Sequence, residues 1–252
     1  MPADTVTLYA GVRELAGPEV GQGVTGGMGV GLSGFGYGTQ WGAAVADGEQ
    51  QSREIFSRGG GPVIGRAAGT MYLDGYPGSF AIDYGASLGS LWFDVDTNDD
   101  GLTDNAGQLA NFWHFDHLSP APSDRIDFYS VAMHEILHAI GFGTARSWND
   151  LRSGTTWLGP NLIAENGGSG EGLIHPDGRH LASGLLSPRL SDGELQRPLM
   201  SPGFLSGERR DLTQMDLQAL PDIRWAIAVP EPAALASLWL ASALLLRRRR
   251  GA

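Results

Sequence analysis

One stretch constrains this chain more than any other: Asp127-Phe-Tyr-Ser-Val-Ala-Met-His134-Glu135-Ile-Leu-His138-Ala-Ile-Gly141-Phe-Gly143. It predicts a single helix that ends at glycine. Asp127 is a good cap, because its carboxylate can accept from the free N–H groups of the first turn. Gly141 stands where a left-handed helix exit is easiest. His134 and His138 are one helical turn apart, so their imidazoles share a face. Two imidazoles so placed can bind one Zn²⁺ at about 2.0–2.1 Å each. Glu135 falls on the neighbouring side, where it can take a proton from a metal-bound water whose pKa zinc lowers to about 7. The plainer reading is a helix with two ordinary histidines. The capped start, the apolar Val131, Leu137, Ala139 and Ile140, and the glycine after His138 favour the metal.

Composition narrows the setting. The chain has 252 residues, enough for one large domain or two small ones. It has no cysteine, which excludes disulfides and thiolate metal sites. Every one of its 17 basic residues is an arginine, and the last six positions hold a run of them, Arg247 to Arg250. The body before that tail is therefore strongly acidic. Such a balance argues against nucleic acid and suits a soluble exported domain.

The run His134-Glu135-x-x-His138-x-x-Gly141 resembles the metzincin zinc metalloproteases, whose pattern continues x-x-His. Here Thr144 stands in that third position, and threonine is not a plausible replacement ligand. The leishmanolysin-like and matrixin-like branch is the nearest resemblance, because leishmanolysin-like members insert a segment after the glycine and take the third histidine from beyond it. Thr144 to about Gly178 is such a segment, rich in Gly, Asn and Ser. The turn His175-Pro-Asp-Gly-Arg-His180 follows it. On that resemblance His180 is the third ligand, with His175 as the alternative. Met200, in Pro198-Leu-Met-Ser-Pro202, matches the methionine turn that lies beneath the metal. Asp211 to Leu220 would be the final helix, with Leu212, Met215 and Leu220 as its apolar stripe.

The remaining segments are read in chain order. Residues 1–69 form a glycine-rich segment of uncertain structure, with Val6 to Tyr9 as one candidate strand. Gly29, Gly31 and Gly34 match G-x-G-x-x-G, but no βαβ unit surrounds them, so a dinucleotide site is rejected. Met1-Pro-Ala-Asp has no basic n-region and no apolar h-region. Thr70–Asp74, Ser79–Tyr84 and Ser90–Val95 are β-prone runs separated by Gly and Pro. Asp96, Asn98, Asp100 and Asp104 match four positions of a Ca²⁺ loop, although Gly107 stands where its glutamate is expected. A solvated acidic turn is the plainer reading there. His114, Asp116 and His117 are a weaker metal candidate.

The tail is a separate signal. Val229-Pro-Glu-Pro232, the apolar run Ala233–Leu246 and Arg247–Arg250 resemble the PEP-CTERM sorting signal of Gram-negative bacteria. That resemblance implies export, transient inner-membrane insertion through the C-terminal helix, and processing by an exosortase-type enzyme. The destination would be the cell surface or extracellular matrix. An export tail without a leader leads us to expect the true start upstream of Met1, or different from it.

The expected fold is thus α+β. A metzincin-like zincin domain over residues 70–228 would pack a twisted mixed β-sheet on a zinc-binding helix and a C-terminal helix. A short transmembrane sorting helix, residues 229–252, would follow. The expected function is an exported Zn²⁺-dependent endopeptidase acting on a protein or peptide substrate, with Glu135 as general base. The rival expectation is a non-catalytic, calcium-stabilised surface or matrix protein with a degenerate zinc site.

Overall fold

A computed structural model describes residues 6–17, 19–26, 61–73, 76–86 and 88–227. The G-x-G-x-x-G match and the sorting tail lie outside the described residues. Among the described residues, no helix is long and apolar enough to cross a membrane.

Two strands come from the segment whose structure the sequence left open: β1 (Thr7–Arg13) and β2 (Gly21–Gly26). A two-stranded antiparallel hairpin follows, β3 (Val63–Leu73) with β4 (Tyr76–Gly85). β5 (Leu88–Asp94) then forms the centre of a mixed three-stranded sheet in the order β1-β5-β2. β1 runs parallel to β5 and β2 antiparallel to it, with Gly23 opposite Leu91 and Gly21 opposite Phe93. The sheet therefore runs across residue 70, the boundary expected from the sequence.

Beyond β5 come helix α1 (Ala106–Phe112) and the short parallel pair β6 (Trp113–His114) and β7 (Ile126–Asp127). Helix α2 (Phe128–Ala139) carries His134, Glu135 and His138. Asp127 caps it, accepting from Ser130 N at 3.0 Å and Ser130 Oγ at 2.6 Å. Arg209 Nη2 closes an ion pair on the same carboxylate at 2.6 Å. Gly141 and Gly143, at φ +113° and +71°, take the chain out of the helix.

Glycines decide how closely α2 lies against the sheet. A Cβ on Gly23 would sit 2.2 Å from the Glu135 carbonyl oxygen, and one on Gly21 2.8 Å from Val131 Cγ1. On β5, a Cβ on Gly89 would meet Ala139 Cβ at 2.9 Å. Leu91 and Phe93 share that face and pack with Trp113, Ile126 and Val131. Contacts this short exclude any side chain, so β2 and Gly89 of β5 form the packing surface for the helix.

The segment from Thr144 to Gly178 is folded, not an open loop. It contains α3 (Arg146–Asn149), the pair β8 (Arg152–Ser153) and β9 (Thr156–Trp157), and α4 (Pro160–Glu165). Its Trp148, Trp157, Leu162, Leu173 and Ile174 join Leu137, Phe142 and Met200 in the larger apolar cluster. Trp148 stacks between Phe142 and Trp157 at 4.3 and 4.4 Å and donates to the Gly178 carbonyl at 2.9 Å. The pair β10 (Ser187–Pro188) and β11 (Leu195–Gln196) precedes the last helix.

That helix, α5 (Gln214–Asp222), begins later than Asp211 and ends later than Leu220. The reason is a capping box: Thr213 accepts from the Asp216 N–H, and the Asp216 side chain accepts from Thr213 N. Met215 is buried, while Leu212 and Leu220 are half-buried against the same cluster.

Two outcomes follow from this packing. Trp148→Ala is expected to cost about 3–5 kcal/mol, because it empties the centre of an aromatic stack. Guanidinium unfolding followed by circular dichroism measures it, and a cost within 1 kcal/mol (about the error of such scales) would contradict the packing. Asp127 gives a pH signature. Burial alone would raise its carboxyl, but Arg209 and Ser130 overcome that and hold it below the ordinary range. Its stabilisation is present above the unfolded-state value and is lost as pH falls through the lowered folded-state value. Asp127→Asn should therefore be less stable at neutral pH and lose less on acidification below about pH 4. Parallel stability–pH curves for the two proteins would overturn this.

Candidate metal centre

Three histidines from two separate elements converge. Nε2 of His134 and Nε2 of His138, both on α2, each lie 3.1 Å from Nε2 of His180. The other ring nitrogen of each histidine faces an acceptor. His134 Nδ1 is 2.8 Å from the Leu199 carbonyl, and His138 Nδ1 is 2.8 Å from the Phe142 carbonyl. His180 Nδ1 is 2.7 Å from Asp177 Oδ2. Carbonyls and carboxylates only accept, so each Nδ1 carries the proton and each neutral ring presents a bare Nε2 lone pair.

The rings stay neutral for a physical reason. Burial, then the neighbouring His138 and His180, lowers His134 well below the usual range. Burial, then His180, pushes His138 down to about 4. Burial also lowers His180, opposed by Asp177. Bare lone pairs that converge at 3.1 Å on His180 Nε2 repel one another, and a cation between the three would turn that repulsion into ligation. Tetrahedral ligands at about 2.0–2.1 Å from a metal stand about 3.3–3.4 Å apart, a few tenths of an ångström from this arrangement. The donor set therefore fits a metal ion. Imidazole suits several first-row metals, so the donors alone do not choose among them.

Each of the three histidines has its own support. α2 fixes His134 and His138. His180 sits on a turn, which Gly143 admits: a Cβ there would lie 2.1 Å from the Arg179 carbonyl oxygen. Asp177 holds the turn by accepting from Arg179 N at 2.8 Å as well as from His180 Nδ1. These donors keep its carboxyl well below the usual range, although burial alone would raise it. The carbonyl that orients His134 is itself fixed, because Asp216 accepts from Leu199 N at 2.8 Å and Met200 N at 2.9 Å. Met200 is fully buried in that turn.

Glu135 lines the same cavity, about 360 Å³ in volume, beside Gly21, Gly23, Thr144, Arg179 and Phe204. Burial pushes its carboxyl up to about 8, with the Gly23 N–H opposing and the Glu19 charge adding. Phe204 stands edge-on to His134 at 5.3 Å. Thr144 is not a ligand here; its hydroxyl donates to the His138 carbonyl at 2.7 Å, closing the helix end.

The other candidates are placed elsewhere. His175 Nδ1 lies 2.9 Å from Asp177 Oδ2, so it shares the acceptor of His180 and stands outside the three-histidine group. In the acidic loop, Asp96 accepts from Asp100 N and Gly101 N, Asn98 from Asp100 N, Asp100 from Leu102 N, and Asp104 from Thr97 N. Among the described residues, the groups of three His, Asp or Glu side chains whose ligand atoms converge are His134–His138–His180 and His175–Asp177–His180. His114 turns its Nε2 to the Ser119 carbonyl, and His117 stacks on Tyr129. The sequence reading missed Asp177, Asp216, Arg179 and the β2 glycines. Only Asp216 had a local signal, the Thr213-x-x-Asp216 box.

No protein-family model, curated protein or solved structure matches this chain.

The arrangement separates the two candidate third ligands. His180→Ala is expected to lose bound metal after dialysis, while His175→Ala keeps it, both measured by mass spectrometry. Asp177→Asn should weaken metal binding about 10–100-fold, the usual range for an outer partner. Full metal in His180→Ala would remove it from the site.

Proposed function

We propose that this chain is a zinc-dependent endopeptidase of metzincin-like build, with His134, His138 and His180 as ligands and Glu135 as general base. The observation that carries it is the convergence of three bare Nε2 atoms beside a buried carboxyl in one cavity. When bound there, Zn²⁺ supplies Lewis acidity, lowering the pKa of water and polarising a carbonyl.

The chain's own residues supply the rest. Leu199, Phe142 and Asp177 hold the three rings in the ligating tautomer. Glu135 takes the proton of the attacking water and returns it to the leaving amine as the C–N bond breaks. A carboxyl raised by burial is suited to hold that proton in between, and a nearby cation pulls it back toward ionisation. Met200 and Asp216 form the floor that keeps the Leu199 carbonyl in place. An extended peptide suits the cavity, because β2 pairs only with β5 among the described residues and leaves its outer backbone edge to a substrate. The sorting-signal resemblance of residues 229–252 supports an exported protein, processed by an exosortase-type enzyme after transient membrane insertion.

Glu135→Gln decides the mechanism. It should retain metal and lose casein hydrolysis by at least about 10²-fold, since the amide cannot accept the proton. Chelator should abolish hydrolysis in the parent protein, and zinc should restore it. Undiminished hydrolysis in Glu135→Gln would sink the general-base assignment.

A further inference from the structure

Arg179 stands out among the groups around the cavity. It immediately precedes the ligand His180 and lines the cavity wall. Its backbone is held on both sides: N donates to Asp177 Oδ1 at 2.8 Å, and the carbonyl lies against Gly143 where no Cβ fits. The side chain nevertheless has no hydrogen-bond or ion-pair acceptor among the described residues. Arg146, Arg189, Arg197, Arg209 and Arg210 all pair with carboxylates. A guanidinium offers five donors in a planar fork that matches a carboxylate. Arg125 and Arg224 also lack a carboxylate partner among the described residues, but of these three only Arg179 lines the cavity, so its fork is left free beside the three histidines.

The cavity is also asymmetric. Phe204 packs edge-on against His134, whereas the charges of Arg179 and Asp177 both bear on His138 and His180. The Asp177 carboxylate is already taken by His180 Nδ1 and the N–H groups of its turn, so the guanidinium is the charge at that end left without a partner.

We infer that Arg179 forms a carboxylate-binding subsite, so that the preferred substrates carry an anionic group on the His180 side of the scissile bond. This rests on the peptidase reading above and names its substrate class. The carboxylate can come from an Asp or Glu side chain or from a free C-terminus. Both present the same planar acceptor to the guanidinium.

Three peptides of otherwise identical sequence test it: an amidated one with Glu beside the cleaved bond, its amidated Gln counterpart, and the Gln peptide with a free C-terminus close to that bond. The parent protein is expected to cleave one of the two carboxylate peptides at least about 10-fold more efficiently than the neutral peptide, as a charge-assisted bidentate pair would give. Which one it favours identifies the source. Arg179→Gln should bring that peptide down to the neutral peptide's level while metal content, read by mass spectrometry, is kept. Equal cleavage of all three by the parent overturns the inference and leaves the peptidase reading standing. A preference that persists in Arg179→Gln also overturns it. If no peptide is cleaved, the peptidase reading fails instead. Binding of the same peptides to metal-loaded Glu135→Gln, by calorimetry, then decides the subsite: equal affinities reject it, and tighter binding of a carboxylate peptide that Arg179→Gln removes supports it.

Discussion

The site depends on where three imidazole protons are. Each Nδ1–H is tied to an acceptor, so each Nε2 has to present its lone pair to the same point. Two of those acceptors are backbone carbonyls fixed by the fold. The third is a carboxylate, and it serves the one histidine that lies on a turn instead of a helix. This distribution is physically sensible. A helix already orients its side chains, whereas a turn ligand needs a stronger, charge-assisted contact to hold its ring.

Close packing brings those acceptors into range. Glycines at 21, 23 and 89 let the helix lie against the sheet, and Gly143 lets the histidine turn lie against the helix exit. On the far side, Trp148 and Trp157 fill the space under the inserted segment, and the Trp148 indole fixes the Gly178 carbonyl. Asp216 couples the last helix to the Leu199–Met200 turn through two buried hydrogen bonds. The long segment after the helix is therefore a part of the core, and its burial is what makes the turn at His180 a defined structure.

Electrostatics follow from the same burial. The three rings lose basicity because charge is costly away from water, and that keeps them in the form able to ligate. Glu135 gains a proton for the same reason. Neutral donors and a protonated carboxyl thus coexist in a small cavity, whereas Asp127, at the other end of the helix, is held ionised by Arg209.

The sequence by itself determined what local chemistry can determine. His134, Glu135 and His138 stand on one helix because of their spacing, Asp127 caps it, and Gly141 ends it, all through contacts within a few residues. β5 was legible from its β-prone run. The family resemblance offered His180 and His175 together, and only tertiary structure separates them: Gly143 and Asp177 bring the ring of His180 to the helix, while His175 turns to the same carboxylate from outside. The strand at 7–13 was legible in part, through Val6 to Tyr9, while the strand at 21–26 was illegible because a glycine-rich strand has no apolar alternation; its role appears only against the helix it touches. The final helix begins at Gln214, after the Thr213 cap, rather than at Asp211, because a reciprocal cap outweighs an apolar stripe. Asp216 shows locally only as a helix cap, and its bonds to Leu199 and Met200, like the bond from His134 to the Leu199 carbonyl, join residues far apart in the chain, where distance in sequence hides what packing brings together.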